Sequence, residues 1–394
     1  MKKFEDSARS AHDRRVVAYC DEIVNALGIT RPGREMLRKM SLSERSDVIR
    51  MQNNGLQTLL QEVGFDPSAC PSNLGAPSHG EDLDPQLAFV LEMATAFDNE
   101  LEFSPYTDVP LSCRLEPEHF DSFENPAIAF VMSVLRPLRR ADLMCLVPKL
   151  PVLPQIALDI LRAVRQNDLT PATIVGFASK DQVLVGGLLA CANSAAYGRR
   201  REVTNLAHAV SYIGTERAAS ILIALAVKPT LMTPKLTDLW KHSIEAATAA
   251  ETMSLLTDGL SRCDAYVLGL IHDVGRLLLD LVPVSVEAAR NRLLANGCEI
   301  AVAELLTCGM DHAEAGALVL RQWGLPDHYV EAIRFHHQPQ ATDSKLAALL
   351  YLVEFWTDSG EDPASNVRLR AALHRLDLGL TDILHMRTKK PLLT

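Results

Sequence analysis

The chain has 394 residues, 48% hydrophobic and 22% charged, with a formal net charge of −10 at pH 7. That acidic balance argues against a broad nucleic-acid footprint, which needs clustered Lys and Arg, and the short basic runs Arg136–Arg140 and Arg199–Glu202 read as solvated faces. The 8 cysteines show no CxxC spacing, which argues against a thiolate zinc or redox motif, and no run approaches the ~18–20 apolar residues of a membrane span.

The first residues, "MKKFEDSARSAHDRR", are charged and lead into no apolar segment, so a cytoplasmic protein is expected. Residues 1–65 are predicted helical. "RRVVAYCDEIVNALG" carries apolar residues at helical spacing and stops at Gly28. A second helix opens with Ser41 and Glu44 in capping-box spacing and closes at Gly64. Residues 66–84 are rich in Pro, Ser and Gly and read as a linker or long loop. Residues 85–140 form a mainly helical extension without a chemical signature, and Asn125 and Pro126 stand there as cap and first residue of a helix.

From residue 141 short helices alternate with tight turns. "LPVLP" is a stiff entry, because residues before proline are pushed out of the helical region. Thr170 and Pro171 open the next-but-one helix, and Thr204 and Thr215 are expected to cap two more on either side of Gly214. Residues 141–230 thus form one helical sub-bundle. The pair of helices around "ASKD" mimics a helix-turn-helix, but its second helix is almost wholly apolar and offers nothing to read base edges. A second sub-bundle is expected over residues 231–341, with residues 342–394 as C-terminal helices packed on it. Few aromatics, 5%, and no convincing strand complete an all-α reading.

Chemistry concentrates in the second sub-bundle. "CDAYVLGLIHDVGRLLLDLV" reads as one helix, apolar almost all round, interrupted by His272, Asp273 and Arg276. A carboxylate in such a setting costs several kcal/mol, of the order of ~2–7 for an unpaired polar group and more for a charge, unless something pairs with it. His272 and Asp273 would lie about 100° apart on a helix, and His242, His312, His328, His336 and His337 fall on neighbouring helices. Two or three imidazoles plus a carboxylate suit a borderline divalent ion. An ion-pair ladder Asp273–Arg276–Asp280 at helical spacing also accounts for the buried charge and is the one that spacing alone favours, with the metal as its alternative.

The ordered segments "LPVLPQIALDILRAV", "ASKDQVLVGGLLACANSAAYG", "VTNLAHAVSYIG", "LWKHSIEAATAA", "LGLIHDVGRLLL", "DHAEAGALVLRQWGLP" and "AIRFHHQP" resemble the bacterial HDOD domain over residues 141–341. The resemblance implies an HDOD-type helical bundle of two packed sub-bundles, with an additional helical N-terminal region. It also implies kinship with the HD and HD-GYP phosphohydrolases, whose metal is held by a histidine, an adjacent His-Asp pair and a later aspartate. Carried over, these match His242, then His272 with Asp273, while Glu354 stands where the last aspartate should fall. His312, His336 and His337 resemble the later histidines of the HD-GYP type, and Arg276 replaces a lysine. The implied cofactor is a divalent metal: Fe, Mn, Zn, Ni or Mg. "HHQPQATDSK" contains no Gly-Tyr-Pro segment, which argues against cyclic di-GMP hydrolysis. The favoured expectation is a regulatory signalling protein that acts through protein partners with a non-catalytic HDOD domain. The alternative is a metal-dependent phosphohydrolase acting on a nucleotide or phosphodiester.

Overall fold

In a computed structural model of the chain, the described residues are 14–23, 90, 93–98, 131, 134–135, 140–194, 202–232, 237–357 and 366–382. The predicted helix from Ser41 to Gly64, the linker 66–84, the start at Asn125-Pro126 and the basic residues Arg199–Arg201 lie outside them. Among the described residues all regular structure is helical. The helices are α1 (Arg140–Met144), α2 (Gln155–Arg165), α3 (Pro171–Ala178), α4 (Gln182–Ala192), α5 (Leu206–Ile213), α6 (Thr215–Leu231), α7 (Thr237–Ser254) and α8 (Arg262–Ile271). They continue as α9 (Arg276–Leu279), α10 (Val284–Ala295), α11 (Ile300–Cys308), α12 (His312–Gln322), α13 (Asp327–Arg334), α14 (Lys345–Thr357) and α15 (Val367–Leu376). No single helix among the described residues is long and apolar enough to cross a membrane. The α5–α6 pair meets the composition only together, bent by 113°.

Side-chain caps set many of the starts. Thr170 Oγ1 accepts from Thr173 N at 3.1 Å with Pro171 as the first helical residue, as expected. Asp181 and Ser261 cap α4 and α8 in the same way. The caps expected at Thr204 and Thr215 are corrected. Asn205 caps α5, its Oδ1 accepting from His208 N at 2.8 Å, and Thr215 is already inside α6. The turn between α5 and α6 is made by Gly214 at φ +91°, a conformation that a residue with a Cβ rarely adopts.

The chain divides into two units, residues 1–145 with 281–311 and residues 146–280 with 312–394. In the first, residues 14–23 are helical and bury Val16, Tyr19, Cys20 and Ile23. Tyr19 meets Phe97 edge-on at 5.2 Å, and its hydroxyl lies 3.4 Å from Cys298 Sγ. Arg15 grips Asp98 with two bonds of 2.8 and 2.9 Å, and Arg292 grips Glu22 with two of 2.6 and 2.9 Å. These fork-to-carboxylate pairs fix geometry as well as charge. They tie the N-terminal helix to residues 93–98 and to the 281–311 segment.

In the second unit α8 is the centre. Cys263 and every residue from Ala265 to Ile271 are buried, and each large aliphatic side chain so placed contributes about 1.5–3 kcal/mol. It packs on α7, whose facing residues are alanines, Ala246, Ala249 and Ala250, so that α8 and α14 both approach closely. Trp323, just past α12, donates its indole N–H to Pro151 O at 3.0 Å, which anchors the "LPVLP" entry.

Candidate metal centre

The helix expected to run unbroken through "LGLIHDVGRLLL" breaks at the chemistry. α8 stops at Ile271, residues 272–275 form a turn, and the short α9 resumes at Arg276. Val274 N reaches Ile271 O and Arg276 N reaches Asp273 O, both at 3.0 Å, so the backbone is wound into tight i→i+3 turns. The cause is Gly275. A Cβ there would stand 1.9 Å from His312 O and 2.4 Å from Gly316 N, so only glycine lets the turn lie against the start of α12.

Two other glycines work alike. A Cβ on Gly269 would stand 2.8 Å from Ala246 O, and one on Gly316 would stand 2.8 Å from Ile333 Cγ2. Each crossing lies about one helical turn from a histidine. Gly269 and Ala246 bring His272 to His242, and Gly316 and Ile333 bring His312 to His336. His336 and His337 leave the turn that closes α13, where Phe335 N bonds Glu331 O at 3.1 Å and Gln338 N bonds Phe335 O at 2.9 Å. Glu354 comes from α14.

Eight of the residues singled out in the sequence meet in the second unit. His242 Nε2 lies 3.0 Å from His272 Nε2 and 3.2 Å from Glu354 Oε1, and His272 Nε2 lies 2.7 Å from the same oxygen. Asp273 sits between two groups. Its Oδ1 is 3.2 Å from His312 Nε2, and its Oδ2 is 3.6 Å from His242 Nε2. His337 Nε2 lies 2.7 Å from His312 Nε2, and the His336 ring centre is 5.4 Å from that of His312. His242, His272 and Asp273 have ligand atoms within 4.8 Å of one another, as do His312, His336 and His337. His328, grouped with them by sequence, instead lies exposed on α13 beside Tyr329.

Hydrogen bonds at the far nitrogens orient two of the rings. His272 Nδ1 is 2.8 Å from Gly269 O, and His336 Nδ1 is 2.6 Å from Ile333 O. A carbonyl only accepts, so Nδ1 carries the proton and donates, and in the neutral ring Nε2 presents a lone pair to the centre. That is how metal-binding imidazoles are held. His336 Nε2 and Asp273 Oδ2 are buried with no hydrogen-bond partner. Arg276 Nε approaches Asp273 Oδ2 at 3.2 Å, an ion pair without hydrogen-bond alignment. Asp273 and Arg276 thus pair as the ladder expects, but as charges without a hydrogen bond between them.

The electrostatics divide the imidazoles: His336 and His337 are held neutral, while the carboxylates favour the charged form of His272. Burial opposes charge on His272, but the carboxylates of Asp273 and Glu354 outweigh it and raise its pKa. Burial also opposes charge on Asp273, and His272, Arg276 and His312 overcome it, holding the carboxyl well below its usual range. Glu354 is held low against burial chiefly by His272 and His242. Burial, together with His312 and His272, pushes His336 down to about 3, and burial with His336 and His312 pushes His337 well down.

Residues 150–339 match the family model of the HDOD domain. This stretch is an HDOD domain. A solved HDOD domain protein with unknown function from Geobacter sulfurreducens superposes with a TM-score of 0.54 at 22% identity, covering 63% of this chain and 94% of that one. A candidate phosphohydrolase from Shewanella amazonensis SB2B superposes with a TM-score of 0.52 at 26% identity, again covering 63% and 94%. An uncharacterized protein of Treponema pallidum (strain Nichols) is 26% identical over 216 residues, 52% of this chain, and this chain spans only 41% of its length. The HDOD domain of this chain carries a buried His/Asp group compatible with a divalent metal.

Proposed function

We propose that this chain is a cytoplasmic signalling protein whose HDOD domain holds a divalent-metal centre, and that the centre hydrolyses a phosphoester. The observation that carries the reading is a pair of buried atoms without hydrogen bonds, His336 Nε2 and Asp273 Oδ2, inside a ring of imidazoles and carboxylates. A buried acceptor without a donor costs about 1–3 kcal/mol; a metal ion would remove that cost at His336 Nε2 and give Asp273 Oδ2 a second cation beside its Arg276 ion pair. The donor set fits. His242, His272, Glu354 and Asp273 Oδ2 would hold one ion, and His312, His336, His337 and Asp273 Oδ1 another. When bound, such ions supply Lewis-acid polarisation of a phosphoryl oxygen and a water that ionises near neutral pH.

The chain's own residues supply the rest. His242 and Glu354, at 29% and 18% side-chain exposure, mark the side from which substrate enters, while His272 and Asp273 at 1% and 2% close the floor. Arg276, its Nε held by Asp273, is a fixed cation at this edge and would bind a second phosphoryl oxygen. In the hydrolysis, water adds to phosphorus as the P–O bond to the leaving alcohol breaks, and the proton lost by water ends on that alcohol.

A second reading keeps the ions without turnover: a regulatory scaffold acting through another signalling protein. Glu354 in place of an aspartate and the missing Gly-Tyr-Pro segment in "HHQPQATDSK" favour it. Elemental mass spectrometry of protein purified without chelator, followed by a screen of phosphomonoesters and phosphodiesters, separates the readings. Bound metal with turnover, both lost in Asp273→Asn, supports the enzyme. Bound metal without turnover supports the scaffold, and protein that takes up no metal even after reconstitution overturns both.

A further inference from the structure

The two donor groups that share Asp273 are not equivalent. His312 and His336 are 1% and 0% exposed, and they join the partly exposed His337 and Asp273 Oδ1 in a set of three imidazoles and one carboxylate oxygen. The other set, His242, His272, Glu354 and Asp273 Oδ2, is half carboxylate. Two of its members reach solvent, His242 at 29% and Glu354 at 18%. Imidazole-rich sites favour borderline transition ions, whereas carboxylate oxygens suit Mg and Mn. An ion leaves when water replaces its ligands one by one. Water meets the second set at two donors, His242 and Glu354, and the first at one, the partly exposed His337.

We infer that the centre is asymmetric. His312, His336 and His337 with Asp273 hold a resident borderline ion of the Zn, Fe or Ni class, and His242, His272 and Glu354 with Asp273 hold a harder, exchangeable ion of the Mn or Mg class. The inference rests on the metal-centre reading. Its consequence is that the outer position is filled according to the free concentration of the hard cation, while the imidazole-rich one exchanges its ion slowly.

The test reads metal release rather than activity. Whole protein is loaded with Zn and Mn together, passed into a chelating buffer, and sampled over time by elemental mass spectrometry. Two phases are expected, with Mn lost in minutes and Zn retained for at least tenfold longer. His242→Asn should abolish only the fast phase, and His336→Asn only the retained ion, with circular dichroism reporting that each variant is folded. The wild-type time course needs no variant to decide. Release of both ions at one rate, or fast loss of Zn with Mn retained, overturns the asymmetry and leaves the metal centre standing. Failure of wild-type protein to load any ion overturns both.

Discussion

At the scale of single residues, Asp273 is the pivot, because it faces His242, His272, His312 and Arg276 at once. Asp273→Asn keeps the shape and removes the charge. It should cost on the order of 2 kcal/mol in metal-free protein, measured by denaturant melts, and reduce bound metal at both groups. The imidazoles set the pH response. His336 falls from 6.5 to about 3 on folding, so as pH drops below 6.5 the unfolded chain takes up this proton first. Stability is then lost progressively down to about 3, and His337 acts in the same sense. The low carboxyls of Asp273 and Glu354 add stability that is lost at still lower pH, while raised His272 contributes in the opposite sense, losing its share as pH rises. The expected outcome for metal-free protein is a melting temperature that falls steadily from about pH 6.5 downward; a flat profile from pH 7 to pH 4 would contradict it. Thiols offer an independent check. Burial pushes Cys263 and Cys298 up to about 12, whereas Cys145 is exposed. Alkylation of native protein at pH 8, mapped by mass spectrometry, should mark Cys145 and spare those two.

At the scale of elements, glycine spacing decides which helices meet. Gly275→Ala must push the HD turn off α12, since its Cβ would meet backbone on both sides. A cost of about 1–3 kcal/mol is expected from overpacking, together with loss of metal, because His272, Asp273 and His312 separate. Gly186→Ala in α4 is the control. Nothing stands within 4 Å of a Cβ there, so alanine should stabilise by about 0.5–1 kcal/mol through helix propensity. Thermal melts and metal content of both variants test the pair: equal behaviour would mean that the close crossing at Gly275 does not build the site.

At the scale of the molecule, the division into two units makes a calorimetric prediction. Tyr19 belongs to the first unit, where it packs on Phe97 and touches Cys298. Every residue of the metal centre belongs to the second. Tyr19→Ala should lower one unfolding transition by about 3–5 kcal/mol, the usual cost of deleting a buried aromatic. Divalent metal should raise the other through mass action. A single transition displaced by both would show that the units unfold together.

Composition and periodicity were enough for the all-helical class, because apolar spacing, caps and Gly or Pro stops are written locally. Thr170 with Pro171 is legible in this way. The motif series was legible too, and with it the residues that come together. Local signals failed where tertiary packing won. Asn205 rather than Thr204 caps α5, because the choice depends on where the backbone leaves its turn. The helix through Ile271 breaks because Gly275 is pressed on α12, a contact between residues 37 apart in sequence. His328 left the cluster because its place on α13 faces solvent. The sequence by itself determined which donors exist and in what order. Only the tertiary structure decided that Asp273 stands between two groups, that His336 Nε2 and Asp273 Oδ2 lack hydrogen-bond partners, and that one group reaches solvent at one donor and the other at two. Those properties depend on distances between helices, and helix spacing is set where Gly269, Gly275 and Gly316 admit a neighbouring backbone or side chain that any larger residue would exclude.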